Sequence, residues 1–445
     1  MNPEADAVLA QLRPYPEDGS RADGPVAVDA TDRLLLDEAA ALIERTPDQV
    51  VVIGDRFGAL TLGALALGAR GIRVHQDPSA AEAALDANSA RVAQTLAGHQ
   101  RAAANLPASP EPTRLEWTRH DELGPALLAG ARLVLLQLPT SLAELTEIAE
   151  HVARHADPAV TLLAGGRVKH MTHGMNDVLG ASFAHVSASL ARQKSRLLSA
   201  REPRADVGPL TYPVTAHLTD GEVLDALAPL RGSASGLTVV AHGAAFAGAT
   251  LDLGTRFLLA QADRWPDLSD PQVIRVTARS DPQHADAAPS TDAPDAGARP
   301  VAVDLGCGTG ILATVVALRF PGAQVIATDQ SAAACASARA TLAANSAEAT
   351  VVRDDAGASL LDDSADLVLL NPPFHDRAAL STDAAHRMFA TAGRILRDGG
   401  ELWTVFNTGL HYRRALERAV GPTEHVAQSP KFTVTRSLRK AQSPR

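Results

Sequence analysis

Cysteine is almost missing from this chain, with two residues in 445. So small a supply excludes a disulfide framework and a cysteine-rich zinc site, and it points to a reducing compartment. Lysine is nearly as scarce. Lys169, Lys194, Lys431 and Lys440 are the whole complement, and arginine carries the rest of the positive charge. Aromatic residues make up 3% of the sequence. The first residues, Met-Asn-Pro-Glu-Ala-Asp, have neither the basic nor the apolar stretch of a secretory signal. The longest uncharged apolar run, 57–69, falls short of the roughly 20 residues that span a bilayer. These absences predict a soluble cytoplasmic protein with no membrane partner. The acids outnumber the bases by 51 to 41, for a net charge of -10. That argues against a protein that coats nucleic acid over its whole surface, but a local basic face stays possible.

Apolar residues at 46% and charged residues at 21% are ordinary for a globular chain. At roughly 150 residues per domain, the length predicts two or three domains. Residues 278–299 contain Ala, Pro, Asp and Ser but no large apolar side chain, and they predict a flexible insertion. A second break lies at 201–213, where three prolines interrupt the pattern. Elsewhere short β-rich runs alternate with alanine-rich helical stretches, the signature of a parallel sheet with helices on both faces. Strands are predicted at 50–53, 72–75, 133–136 and 160–163, and again at 301–305, 325–328, 350–352 and 367–370. The last two runs, 401–406 and 432–437, predict an antiparallel strand closing the sheet edge.

The chain also repeats itself. VVIGDRFGAL, IRVHQDPSAAEAALDAN and LVLLQLPTS in the first half answer VAVDLGCGTGIL, VIATDQSAAACASARATLAAN and LVLLNPPFH in the second. We read a duplicated domain, 1–205 and 206–445, with the first copy degenerate. In that copy the loop Gly54-Asp-Arg-Phe-Gly58 puts bulky residues where glycines are expected, and Gln137-Leu-Pro-Thr140 has neither Asn nor an aromatic ring.

In the second copy, Asp304-Leu-Gly-Cys-Gly-Thr-Gly310 follows an apolar strand and precedes a helix. Gly306, Gly308 and Gly310 let a ligand approach bare backbone. Asp329 ends the next strand, where a carboxylate can accept two ribose hydroxyls. The pattern therefore marks a nucleoside-cofactor site. The dinucleotide fingerprint is G-x-G-x-x-G, whereas this loop is D-x-G-x-G-x-G, with an extra carboxylate that suits a cationic ligand. It resembles the S-adenosylmethionine site of class I methyltransferases; a nicotinamide enzyme and a purely structural turn are the competing readings. In such domains the position of Asp355 contacts the adenine amino group.

Asn371-Pro372-Pro373-Phe374 follows the fourth strand of this copy. The prolines stiffen the turn. The Asn371 amide oxygen and the Pro372 carbonyl can accept hydrogen bonds from an NH2 group, and Phe374 offers a face to a planar base or amide. The chemistry that suits this set is methylation of a planar exocyclic nitrogen, in which positioning does most of the work. No metal site is expected: His170 and His173 have ligand-like spacing but no completing ligands.

The string NPPFHD, with GGELWTVFNTGLHYRRAL and the closing KFTVTRSLR, resembles bacterial ribosomal RNA (guanine-N2)-methyltransferases of the RsmC and RlmG type. In the first half DATDRLLL, GDRFGAL and ASLARQKSRLL look closer to the large-subunit enzyme. The resemblance implies an α/β fold of two tandem Rossmann-like class I methyltransferase domains, the N-terminal one degenerate. It implies S-adenosylmethionine as cofactor and guanosine N2 in ribosomal RNA, or in an assembling subunit, as target. It also gives the stretch from Phe246 to Thr255 a part in closing over the cofactor. A monomer is expected. The alternatives are the small-subunit target, another planar nitrogen (adenine N6 or a protein glutamine), and a non-catalytic assembly factor that binds RNA. Residues 162–204 carry seven bases against two acids, and 431–445 carry five bases and no acid. Arg192, Lys194, Arg196 and Lys431 are the candidate phosphate contacts.

Overall fold

Runs such as Val50–Ile53 and Ala365–Leu370 are buried along their whole length, as strands must be when helices cover both faces of a sheet. The computed structural model describes residues 2–15, 26–103, 116–206, 208–230, 235–269, 299–373 and 378–440. The expected insertion, Arg299 apart, and Phe374 of the predicted catalytic turn lie outside these residues. The chain forms two units, Met1–Tyr212 and Pro213–Arg445.

That division falls seven residues after the expected 205/206. The cause is local. The Thr211 N–H and hydroxyl both donate to the Glu150 carboxylate, at 2.7 and 2.5 Å, and Arg154 donates to the Gly208 carbonyl. These bonds tie the proline-broken stretch to the first unit.

The first unit holds β1 (Val50–Ile53), β2 (Ile72–His75), β3 (Trp117–Arg119), β4 (Leu133–Gln137), β5 (Thr161–Arg167), β6 (Phe183–Ala188) and β7 (Ser195–Pro203). They form one sheet in the order β3-β2-β1-β4-β5-β7-β6. The second unit begins with an antiparallel pair, β8 (Val214–Leu218) and β9 (Leu237–Ala241). Its main sheet holds β10 (Val301–Leu305), β11 (Gln324–Asp329), β12 (Thr350–Arg353), β13 (Ala365–Leu370), β14 (Leu396–Asn407), β15 (Thr423–Gln428) and β16 (Phe432–Leu438). Their order is β12-β11-β10-β13-β14-β16-β15. Position by position the two sheets have one topology, and in both the last two strands in the chain run antiparallel to their neighbours.

The copies agree in detail as well. Asn88 accepts from the Arg13 N–H and donates to the Arg13 carbonyl; Asn345 does the same with Thr238. Gly54 donates to the His75 carbonyl as Gly306 does to that of Thr328. Gly54 (φ +75°) and Gly58 (φ +86°) therefore match Gly306 (φ +79°) and Gly310 (φ +78°). This corrects the expected erosion of the first loop. Both outer glycines survive because the strand-to-helix turn needs left-handed backbone there. Only the middle glycine is replaced, by Arg56.

The closing strand also differs from expectation. β16 is antiparallel as predicted, but β15 lies outside it and forms the edge. Thr423–Gln428 reads TEHVAQ and is half exposed, so no alternation of apolar residues announced a strand.

Candidate active site

In an open parallel sheet the ligand crevice lies at the carboxyl ends of the strands. In the second unit, the ends of β10, β11, β12 and β13 surround a cavity of about 350 Å3. That volume falls within the roughly 300–1,000 Å3 typical of small-molecule sites. Asp304, Gly306 and Gly308 line it from the β10 turn and Asp329 from the end of β11. Asp355 follows β12, Asn371 and Pro372 follow β13, and Phe246 and Thr255 come from the segment before β10. Gly310 sits behind the cavity at the start of the helix Ile311–Arg319. A Cβ there would lie 2.9 Å from the Cα and Cβ of Ala338.

The loop is held from beneath. The Asp329 carboxylate accepts from the Gly308 N–H (3.0 Å) through one oxygen and from the Ser331 N–H (3.0 Å) through the other. An ionised carboxylate has about four acceptor sites, which is the capacity that binding a ribose diol draws on. Among the described residues, a Cβ on Gly308 would meet no atom within 4 Å. Packing therefore does not demand this glycine, and its bare backbone leaves space on the cavity side. Asp304 lies deeper, accepting from the Ala313 N–H at 2.9 Å. Burial pushes its carboxyl up to about 7, with Asp329 adding to the rise and the Ala313 N–H opposing it. Burial also raises the Cys307 thiol well above its usual range, so this cavity-lining cysteine is protonated and inert.

Asn371 is the most informative side chain here. Its Nδ2 donates to Thr255 Oγ1 (3.0 Å) and to the Asp252 carboxylate (3.2 and 3.4 Å). Its Oδ1 is buried with no hydrogen-bond partner among the described residues. Thr255, expected on the cofactor side, thus holds the amide of the predicted catalytic turn. Asp355 lines the cavity but is paired with Arg387 from the helix Ala378–Ile395. Sequence reasoning singled out neither Asp252 nor Arg387. Asp252 lies inside the quoted stretch before the core, and as an Asp capping the helix Leu253–Leu259 it carried only a capping signal. Tyr412 packs edge-on against Phe389 at 5.1 Å and is buried, so it is a core residue.

The expected cations split by position. Gly166 pairs with Arg196 and Arg167 with Ser195, which sets Arg192, Lys194 and Arg196 at the carboxyl end of β5. Arg201 pairs with Thr161 at the opposite end. The loop Arg192–Ser195 is a tight turn with Gln193 and Lys194 left-handed, closed by reciprocal 2.9 Å bonds between Arg192 and Ser195. Among the described residues, Arg192, Lys194 and Arg196 have no carboxylate partner. In the second unit Lys431 lies at the carboxyl end of β14, the rim that bears Asn371, while Arg439 bonds Gly399 and Gly400 at the other end. The described part of the tail is therefore not one patch: β16 separates Lys431 from Arg439 by roughly 20 Å or more. Arg436 is paired with Glu401 and Glu424. No group of His, Cys, Asp or Glu among the described residues could hold a metal, and no described helix is long and apolar enough to cross a membrane.

At the corresponding place in the first unit, between β1, β4 and the start of the helix Ala30–Arg45, the cavity is only about 10 Å3. Arg56, Phe57 and Gln137 line it, and Gln76, at the position of Asp329, donates to the Asp55 and Ala81 carbonyls.

Fold and site together define the class: an S-adenosylmethionine-dependent class I methyltransferase fold present twice, with one open cleft among the described residues. Two family descriptions match the chain, the RLMG N-terminal domain over residues 5–204 and the Methyltransferase small domain over residues 293–436. The chain is 32% identical to a "Ribosomal RNA large subunit methyltransferase G" of Streptomyces avermitilis, covering 96% of this chain and 97% of that protein. It is 31% identical to the protein of that name from Streptomyces coelicolor, over 98% and 99% of the two chains. A solved structure of similar fold is the T. thermophilus 16S rRNA N2 G1207 methyltransferase RsmC in complex with AdoMet and guanosine. The likeness has a TM-score of 0.63 and 17% identity and covers 93% of this chain and 92% of that one. The chain belongs to the ribosomal RNA large subunit methyltransferase G family, and it is an RNA methyltransferase.

Proposed function

We propose that this protein transfers a methyl group from S-adenosylmethionine to the exocyclic N2 of a guanosine in large-subunit ribosomal RNA. The observation that carries the reading is Asn371. The residue lines the cavity, its NH2 is tied back to Asp252 and Thr255, and its buried Oδ1 is an acceptor without a partner among the described residues. An exocyclic amine is the donor that such an acceptor lacks. The amine is a poor nucleophile because its lone pair is delocalised into the ring. Asn371 Oδ1 and the Pro372 carbonyl hold its two hydrogens, so that the lone pair turns toward the methyl group, and Phe374 stacks on the base. S-adenosylmethionine supplies an electrophilic methyl on a sulfonium; Asp329 and Asp355 hold its nucleoside and Asp304 faces its positive charge. The target base has to be unpaired or flipped out to reach this depth. The cavity is lined from a single unit, so one chain suffices.

Arg192, Lys194, Arg196 and Lys431 take RNA phosphates, and the acidic remainder of the surface discourages non-specific coating. The test is to delete the gene and map N2-methylguanosine on both large ribosomal RNAs. Loss at one guanosine of the large subunit, restored by wild type and not by Asn371→Ala, is the expected outcome. An unchanged map removes the reading, and loss only in the small subunit moves the target there.

A further inference from the structure

An asparagine amide is nearly symmetric in shape. Rotating it by half a turn exchanges an acceptor for a donor at almost no steric cost. If Asn371 is to accept from an amine, something must fix which end faces the substrate. We propose that Asp252 is a positioning residue that sets the orientation of the Asn371 amide, so that Oδ1 and not Nδ2 faces the substrate base. The inference rests on the reading of Asn371 given above and extends it to a residue without contact to the reacting atoms.

The Asp252 carboxylate accepts hydrogen bonds only, and Asn371 Nδ2 lies 3.2 Å from its Oδ1 and 3.4 Å from its Oδ2. In the flipped amide, oxygen would face oxygen. Asp252 is itself immobilised: the same Oδ1 accepts from the Gly254 N–H at 2.8 Å and the Thr255 N–H at 3.2 Å. Gly254 is what lets the amide come so close. A Cβ there would stand 2.8 Å from Asn371 Oδ1 and 3.1 Å from its Nδ2. The first unit holds its amide from the same helix start, at another position of the turn. Gln137, at the end of β4 where Asn371 follows β13, donates its Nε2 to Asp32 in the first turn of the helix Ala30–Arg45. Asp32 lies three residues past the cap Asp29, as Thr255 lies three past the cap Asp252, so both copies hold the amide from the first helical turn, and among the described residues only the second adds the contact to the cap itself.

Three variants of the full chain separate orientation from capping. In Asp252→Asn one oxygen still serves the cap and Asn371 Nδ2. In Asp252→Ser the cap is kept, but the side chain is too short to reach Asn371. Thr255→Val removes the second acceptor. The measurements are kcat and KM for RNA, S-adenosylmethionine affinity, melting temperature, and hydrogen exchange of the Asn371 side-chain amide by selective 15N-asparagine NMR, assigned with Asn371→Ala. The expected result is that Asp252→Ser loses roughly 10- to 100-fold in kcat, with melting temperature and cofactor affinity unchanged. Its Asn371 amide should exchange faster, Asp252→Asn should stay near wild type, and Thr255→Val should fall between. An Asp252→Ser protein with full kcat and unchanged amide exchange would overturn the proposal. If the wild-type protein methylates no guanosine, the functional reading fails, and the exchange measurement alone still decides whether Asp252 orients the amide.

Discussion

Lys194 and Lys431 hold the same position in the two copies of the fold. Each is the residue just before the antiparallel strand that pairs with β5 or β14, and each is exposed. The carbonyl of Lys194 accepts from the Val168 N–H at 2.9 Å, and that of Lys431 from the Thr408 N–H at 3.0 Å. Val168 and Thr408 are in turn the first residues past β5 and β14. Two of the four lysines in the chain thus mark one point of a repeated architecture, on the rim where the strands end.

If this rim meets RNA phosphates, Lys194→Glu and Lys431→Glu should each weaken binding to a large-subunit RNA fragment. Each should also lower the slope of log affinity against log salt by about 1. Arg439→Glu, on the opposite rim, is the control and should change neither quantity. A salt titration in which Arg439→Glu weakens binding as much as the lysine variants would show that charge alone, and not the rim, is being read.

The glycines of the loop differ in what they are for. Gly310→Ala forces a left-handed residue against Ala338 and should cost about 1–3 kcal/mol of stability, seen as a lower melting temperature. Gly308→Ala meets no atom of the described residues, so its cost is about 1–2 kcal/mol of backbone strain. Its methyl group, however, intrudes where the ligand approaches. S-adenosylmethionine affinity should fall by more than the change in stability accounts for, as calorimetry of the two variants side by side would reveal.

Much of this was legible in the sequence because parallel strands are buried runs and strand-to-helix turns need glycine at fixed places. Eight of the ten parallel strands among the described residues, with Asp304, Asp329 and Asn371, follow from those rules; β3 does not, because three partly exposed residues make no buried run. β15 was not legible, since an exposed edge strand has no apolar pattern to show. The survival of Gly54 and Gly58 was misread because composition cannot say which glycine of a loop is left-handed; φ can. The tail cations were grouped by sequence proximity, while an extended strand carries neighbours in sequence to opposite ends of a sheet. Asp252 was hidden for another reason: an Asp before a helix is a common cap, and only the distance to Asn371 gives it a second task.

The buried Asp304 predicts a pH dependence. Its folded pKa, about 7, lies above the ordinary 3.8, so the stability it contributes is fully present below pH 4 and is lost as pH rises to about 7. Above that pH the empty site holds an unpaired, buried negative charge. A cationic ligand favours the ionised form, so binding releases a proton below pH 7. S-adenosylmethionine affinity should therefore strengthen with pH by up to about tenfold per unit below 7 and level off above it. Asp304→Asn should bind more weakly at pH 8 and show a flat profile. A wild-type profile as flat as that of the variant would remove the role given to Asp304.

The two copies also predict a stoichiometry. In the first unit Arg56 stands where Gly308 stands in the second, Gln76 where Asp329 stands, and Gln137 where Asn371 follows β13. The cleft between them is about 10 Å3, against about 350 Å3 in the second unit. An arginine in place of a glycine fills the ligand's approach to the backbone, and a glutamine in place of the acid turns its donor group toward the Asp55 carbonyl. The first cleft, though lined by Asp29, Asp32 and Asp55, therefore has neither the room for a nucleoside nor an acid at the position of Asp329. Isothermal titration should give one S-adenosylmethionine per chain. Asp329→Ala removes two charge-assisted hydrogen bonds, each worth about 1.5–3 kcal/mol, and should take binding at that one site down by more than a hundredfold. A second binding event, or full binding left in Asp329→Ala, would mean that the first copy still holds cofactor and that its closed cleft opens in solution.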